Sequence, residues 1–305
     1  MIDNRVRFRH LQTFLEVARQ KSVVKAAGLL NVSQPAVTKT IRELEEVLGV
    51  AVFERDGRGI RITRSGEIFM RHAGQVITAL RQGIDSVANG DAGAGPPIRV
   101  GALPTVSASI MPHAMSLFLD EKTGSTIKIV TGENAVLLEQ LRLGELDLVV
   151  GRLAEPELMT GFFFEHLYSE QVLFVVRGGH PLTSDSRNIF ARLAEFPLLM
   201  PTRGSVIRPF VERFFITHGI AAIPTQIETV SDSFGRAFVR QSDAIWIISA
   251  GVVAGDIHSG ALVALPVDTS ETRGPVGLTM RTDTAPSPAF SILLQTIREA
   301  ARSKA

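Results

Sequence analysis

Two helical patterns joined by only two residues constrain this chain more than anything else in it. SVVKAAGLL (Ser22–Leu30) and SQPAVTKTIRELEEVLG (Ser33–Gly49) are separated by Asn31 and Val32 alone. In the second pattern Val37, Ile41, Leu44 and Leu48 recur at intervals of four, three and four, a narrow arc of the helical wheel that must be buried. Away from that arc lie Pro35, Thr38, Lys39, Arg42 and Glu46, with Gln34 at the border. Ser33 suits an N-cap, because its hydroxyl can accept from an orphaned amide of the first turn. Pro35 falls in that turn, where a missing N–H costs nothing. Gly49 suits the left-handed position after the last helical residue. Helices so tightly joined cannot lie antiparallel; they cross steeply, as a helix-turn-helix. Ser33, Gln34, Pro35, Thr38, Lys39 and Arg42 would then project amide, hydroxyl, methyl and cation toward base edges and phosphates. The alternative for this stretch alone is an αα-hairpin with a solvated polar face.

Charge favours the first reading. The chain is nearly neutral, at +1, yet residues 1–65 hold twelve basic and seven acidic side chains. A basic head on a mildly acidic body suits a polyanion met by the head only. Downstream, Asp56-Gly57 with Gly59 favours a tight turn between extended segments Ala51–Glu54 and Ile60–Thr63. Arg55, Arg58 and Arg61 sit on or beside this wing, within reach of phosphates or a minor groove.

These residues carry a family resemblance. HLQTFLEVARQKSVVKAAGLLNVSQPAVTKTIRELEEVLGVAVFER followed by GIRITRSGE, roughly residues 8–67, resembles the DNA-binding segment of LysR-type transcriptional regulators. The resemblance implies double-stranded operator DNA and RNA polymerase as partners, and a dimer made through a linker helix. FERDGRGI, LRQGIDSV and IRVGALPT add a finer likeness to the branch of that family governing protocatechuate catabolism. It implies an activator of aromatic-acid catabolic genes with a carboxymuconate-like inducer. Two other readings stand beside it: a regulator of another regulon, such as a sugar-uptake operon, and a ligand-binding module that does not bind DNA.

After Thr63, which can cap a helix, Phe69, Ala73, Val76, Leu80, Gly83 and Val87 follow at heptad spacing. A seam so narrow needs a cover, either the chain's own body or a second copy of the helix, and symmetric self-association, as dimer or tetramer, is the preferred reading. ANGDAGAGPP (Ala88–Pro97) then has the composition of a linker. The expected layout is a winged helix-turn-helix at 1–65, a linker helix at 66–89, a hinge at 90–97 and an effector domain at 98–305. The effector domain divides into lobes of about 98–168 with 266–305, and 169–265.

From Ile98 the grammar is β-α-β-α-β twice over: IRVGAL, PTVSASIMPHAMSLFL, IKIVT, NAVLLEQLRLG and LDLVVG, then QVLFVVR, FPLLM, TQIETV and AIWIIS with helical stretches between. The fold class is therefore α+β multidomain, its C-terminal part a two-lobed α/β domain resembling periplasmic binding proteins. Strand ends and helix starts converge on the cleft of such a design. They offer Thr105, Ser107, Asn134, Thr202, Arg203 and Ser205, positions onto which the resemblance carries the family's inducer site, and Arg152 as a further cation. Arg203, beside a glycine, is the best placed partner for a small carboxylate inducer. Ser107, Asn134 and Ser205 equally suit plain N-caps.

The chain has no cysteine, and no G-x-S-x-G, P-loop, G-x-G-x-x-G or H-E-x-x-H motif. Neither catalysis, a metal nor a cofactor is expected. The start MIDNRVRFRH lacks an apolar signal segment, and no run approaches the ~18 apolar residues of a membrane span. The expected location is cytoplasmic, away from the membrane.

Overall fold

In the computed structural model the Ser33 hydroxyl accepts from the Ala36 amide at 3.4 Å, Pro35 lies in the first turn, and Gly49 closes the helix at φ +70°. The structure describes residues 5–57, 59–88, 97–184, 189–220, 225–282, 286–302 and 304. The chain divides into two compact units, Met1–Pro97 with Glu139–Leu146, and Ile98–Leu138 with Asp147–Ala305.

The first unit begins with α1 (Phe8–Gln20), α2 (Val23–Leu29) and α3 (Gln34–Leu48). The turn between α2 and α3 includes Asn31 at φ +53°, a left-handed conformation that Asn tolerates better than most residues. Val37, Ile41 and Leu44 are buried against Phe14, Val17, Ala26 and Ala27, the small alanines admitting close helix approach. The wing is β1 (Phe53–Asp56) and β2 (Gly59–Ile62), antiparallel, with Asp56 opposite Gly59. The expected strand starting at Ala51 begins two residues later instead. Ala51 O accepts from the Thr63 hydroxyl at 2.8 Å, and Val52 N donates to the Glu45 carboxylate at 2.8 Å, so both are held by neighbours outside the ladder.

Next comes α4 (Arg64–Ala88), which Thr63 caps through Gly66 N at 3.0 Å. Gly66 is a packing requirement, because a Cβ there would lie 2.2 Å from Val52 O. The expected heptad seam splits in two. Phe69 packs edge-on to Phe14 at 5.0 Å and Ala73 is buried in the same core, whereas Val76, Leu80 and Val87 are 49, 44 and 83% exposed. The first turns of α4 are thus covered by the chain's own α1, and only the later stretch is open to another helix. The expected hinge lies outside the described residues, apart from Pro97.

From Ile98 the chain runs β3 (Ile98–Ala102), α5 (Pro104–Ser107), α6 (Ile110–Asp120), β4 (Ile127–Thr131), α7 (Asn134–Arg142, of which Glu139 onward belongs to the first unit), β5 (Leu148–Arg152) and β6 (Phe162–Glu170). It continues with β7 (Val172–Arg177), α8 (Pro181–Ser184), α9 (Ile189–Arg192), β8 (Leu198–Met200), α10 (Arg208–Thr217), β9 (Gln226–Glu228), α11 (Asp232–Arg240), β10 (Ile245–Ser249), α12 (Ala250–His258) and β11 (Leu262–Ala264). It ends in β12 (Gly274–Arg281) and α13 (Pro288–Arg302). Two sheets result, ordered β4-β3-β5-β12-β6 and β11-β7-β10-β8-β9, so the chain passes between lobes after β6 and returns before β12. Helices cover these sheets, and each lobe has its own apolar core.

Three departures from the sequence reading matter. PTVSASIMPHAMSLFL forms two helices instead of one, broken where the Ser109 hydroxyl turns back to Thr105 O at 2.6 Å. FFFEHLYSE, whose pattern is not cleanly alternating, is the edge strand β6. The α12 helix and β11 strand that follow AIWIIS complete the second lobe.

Candidate functional site

The buried arc of α3 fixes what the opposite side presents. Gln34, Pro35, Lys39 and Arg42 are exposed and Thr38 half-buried, and with Glu43 and Glu46 they line one shallow surface depression. Ser33 is exposed but its hydroxyl is engaged as the cap. Glu43, which sequence reasoning passed over, sits on this face as the centre of a charge cluster. It receives Arg9 at 2.8 Å and His10 Nε2 at 3.3 Å, with Lys39 Nζ 4.0 Å away. The His10 hydrogen bond, then Arg9 and Lys39, hold its carboxyl below the usual range. Its negative charge is thereby compensated from within the chain, which leaves the face available to a polyanion. On the wing, Arg55 is exposed, Arg61 pairs with Glu54 across the hairpin at 2.5 Å, and Arg58 lies outside the described residues.

The body carries two neighbouring cavities that share Asn134, Ser205 and Val206. The narrow one, about 50 Å³, is lined by Thr105, Glu133 and Ser249 among others. The wide one, about 490 Å³, is walled by Leu153, Leu158, Pro209, Phe210 and Pro275 and carries Arg203 and Arg213. Spacing explains part of this: Pro209, Phe210 and Arg213 fall on one face of α10. Thr202 lines neither cavity; its hydroxyl donates to Glu133 Oε1 at 3.1 Å, linking the lobes. Ser107, the last residue of α5, also lines neither.

Arg152 departs most from expectation. It is 2% exposed and stacks over the Phe210 ring at 4.4 Å, behind the wide cavity's wall. One guanidinium N–H donates to Thr272 O, while Nε and Nη1 have no hydrogen-bond partner among the described residues. Burial pushes it down to about 10, still charged at neutral pH. Close in charge is Glu170, 8% exposed, which accepts from Gly251 N through Oε1 and leaves Oε2 unpaired. Burial raises Glu170 to about 7, against the opposing pull of the Gly251 amide, Arg152 and Lys304. Tyr168, raised to about 12 by burial and then by Glu170, completes the group. This cluster sits where the chain changes lobes, and Val172 N donates to Thr272 Oγ1 at 2.9 Å across the two passages.

A helix-turn-helix with a wing, a long helix and a two-lobed α/β body with a polar-edged cavity define a DNA-binding regulator that senses a small molecule. Sequence comparison agrees. The profile described as bacterial regulatory helix-turn-helix protein, lysR family, matches residues 8–67, and that of the LysR substrate binding domain matches residues 91–302. The chain belongs to the LysR family of transcriptional regulators. It is 69% identical over 301 residues to the HTH-type transcriptional regulator PcaQ of Agrobacterium fabrum, covering 99% of this chain and 97% of that protein. It is also 34% identical to the uncharacterized regulator YdcI of Escherichia coli, over 98% and 97% of the two chains. In fold it is similar to full-length LysG of Corynebacterium glutamicum with bound effector Arg (TM-score 0.62, 16% identity, 98% and 99% covered). Full-length CbnR complexed with its target DNA is similar too (TM-score 0.54, 22% identity, 97% and 100% covered).

Two outcomes follow from this geometry. Thr38→Ala and Lys39→Ala should each weaken operator binding without changing the melting temperature. Loss of a base contact costs about 1–3 kcal/mol at one operator position. Loss of a phosphate contact lowers the slope of log affinity against log salt by about 1. Titrations at several salt concentrations separate them, and unchanged affinity in both variants would remove this face from the interface. For Glu170, a folded-state value above the unfolded 4.5 means that the native state binds the extra proton. Its contribution to stability is therefore complete below 4.5 and lost as pH rises through about 7. The loss amounts to roughly 3 kcal/mol at most. The melting temperature of Glu170→Gln relative to the parent should shift in the variant's favour between pH 5 and 8, as read by calorimetry.

Proposed function

We propose that this regulator activates genes for the catabolism of protocatechuate or a related aromatic acid. It works in the cytoplasm as a homo-oligomer that engages RNA polymerase at its operator, and it responds to a small carboxylate taken up by the two-lobed body. The observation that carries this reading is the extent of the likeness to PcaQ, 69% identity across 99% of the chain. Because the likeness runs through the body as well as the head, it covers the part that would recognise the inducer. The guanidinium groups of Arg203 and Arg213 at a cavity of about 490 Å³ support an anionic effector. Among the described residues no group of side chains is placed to hold a metal ion, and no helix is long and apolar enough to cross a membrane.

Self-association is supported by the open half of the α4 seam, where Val76, Leu80 and Val87 stand exposed. A charge placed in a helix–helix seam is costly to desolvate and meets its own copy across a two-fold axis. Leu80→Asp should therefore shift the sedimentation coefficient toward the monomer while leaving the monomer's fold intact; a coefficient equal to wild type moves the interface elsewhere. The regulon is tested in a host deleted for this gene. A reporter behind the promoter of the protocatechuate operon should be silent without the gene and respond to protocatechuate with it. A reporter indifferent to the gene under both conditions would reject the assignment.

A further inference from the structure

A carboxylate on a face offered to a polyanion costs affinity through repulsion unless it has another task there. Glu43 is such a carboxylate, half-buried and lining the α3 depression with Pro35, Thr38, Lys39 and Arg42. Its Oε2 receives the Arg9 guanidinium at 2.8 Å and His10 Nε2 at 3.3 Å. Among the described residues, Oε1 has no partner nearer than Lys39 Nζ at 4.0 Å, a pair so long and exposed that it contributes little. The two partners on Oε2 differ in kind. His10 is 2% exposed, and its Nδ1 accepts from the Arg7 amide at 3.2 Å, so the ring proton belongs on Nε2, aimed at Glu43. A buried N–H that loses its acceptor is costly, so His10 anchors the carboxylate to the core of the head. Arg9 reaches the same oxygen from α1, yet its side chain is 54% exposed. It spends one N–H on Glu43 and keeps the rest of a planar fork for a second acceptor.

We propose that Arg9 contacts a DNA phosphate at the edge of the α3 face, and that Glu43 is the residue that positions it. The arrangement runs from the buried His10 ring through the Glu43 carboxylate to the exposed guanidinium. Holding Arg9 in place beforehand removes rotamer freedom that a long side chain would otherwise lose on meeting DNA. Its remaining N–H groups meet a phosphate oxygen beside the groove that α3 enters, which fixes the register of the head without reading a base. The carboxylate stays tolerable there because Arg9 and Lys39 offset its charge. This inference rests on the outward side of α3 being the side that meets DNA.

The test is whether Arg9 depends on Glu43. A duplex that the full-length wild-type protein retains from a random-sequence pool serves as operator, with an unrelated duplex of the same length beside it. Arg9→Ala should weaken both by a similar factor and lower the slope of log affinity against log salt by about 1. In a Glu43→Ala background the same change should cost less, by about twofold or more, the lower end of coupling between residues in contact. If Glu43 merely neutralises Arg9, the sign reverses, and Arg9→Ala costs more once the carboxylate is gone. Glu43→Gln keeps an acceptor for the guanidinium, so in that background the cost of Arg9→Ala should return to its value in the parent. Should the melting temperature show that Glu43→Ala does not fold, Glu43→Asp takes its place: it keeps the charge, falls one methylene short of Arg9, and should likewise lower the cost of Arg9→Ala. A reversed sign, an equal cost with and without Glu43, or an Arg9→Ala protein that binds like wild type overturns the inference. If Lys39→Ala weakens binding and Arg9→Ala does not, the face stands and the role of Arg9 falls. A pool from which wild type retains no duplex overturns both.

Discussion

Everything this chain can offer to DNA depends on what the back of one helix buries. Val37, Ile41 and Leu44 lock α3 against Phe14, Val17 and the small Ala26 and Ala27, so the helix cannot rotate without exposing apolar surface. Once that arc is fixed, helical geometry alone turns Gln34, Pro35, Thr38, Lys39 and Arg42 outward. The Asn31 turn sets the crossing angle, and Glu45, at the far end of the same helix, receives the amides of Val52 and Phe53 and so places the wing. Recognition face and wing are thus positioned by one core of modest size.

The body solves a different problem, that of keeping two lobes distinct while joining them by only two passages of chain. Those passages are tied to each other through Val172 and Thr272, and the buried charges of Arg152 and Glu170 lie beside the tie. A cluster of buried charges with unsatisfied atoms is weak evidence of stabilisation. Here it leaves the joint sensitive to the protonation of a single carboxyl, while Arg152 also supports the Phe210 wall of the wide cavity. One buried cation therefore serves both the joint and the wall of the wide cavity.

Much of this was legible before any coordinates. Ser33, Pro35 and Gly49 mark the ends of α3 because capping chemistry is local, and the apolar run LVVG in β5 reads as a strand because both its faces are covered. Strand-to-helix turns announce where a cleft opens, and Thr105, Asn134, Arg203 and Ser205, read from such turns, each line a cavity. Local pattern fails where tertiary packing decides. Nothing in LDLVVGR shows that Arg152 will be buried over a ring fifty-eight positions later. Phe210 and Arg213 share a face of α10, yet their role depends on the loops that bring Leu153 and Pro275 opposite them. The seam of α4 kept its spacing along the whole helix, and only the structure shows that α1 covers its first turns.

The central claim is that ligand occupancy of the body and operator binding by the head are energetically coupled, and coupling of this kind is reciprocal. The most direct measurement is the affinity of the carboxylate proposed as inducer for the full-length protein, free and then saturated with operator DNA. The account predicts two affinities that differ by a factor of about 5–150, matched by the same factor in operator affinity with and without the carboxylate. Equal carboxylate affinities in the two states would mean that the body binds its ligand without informing the head, and would contradict the account.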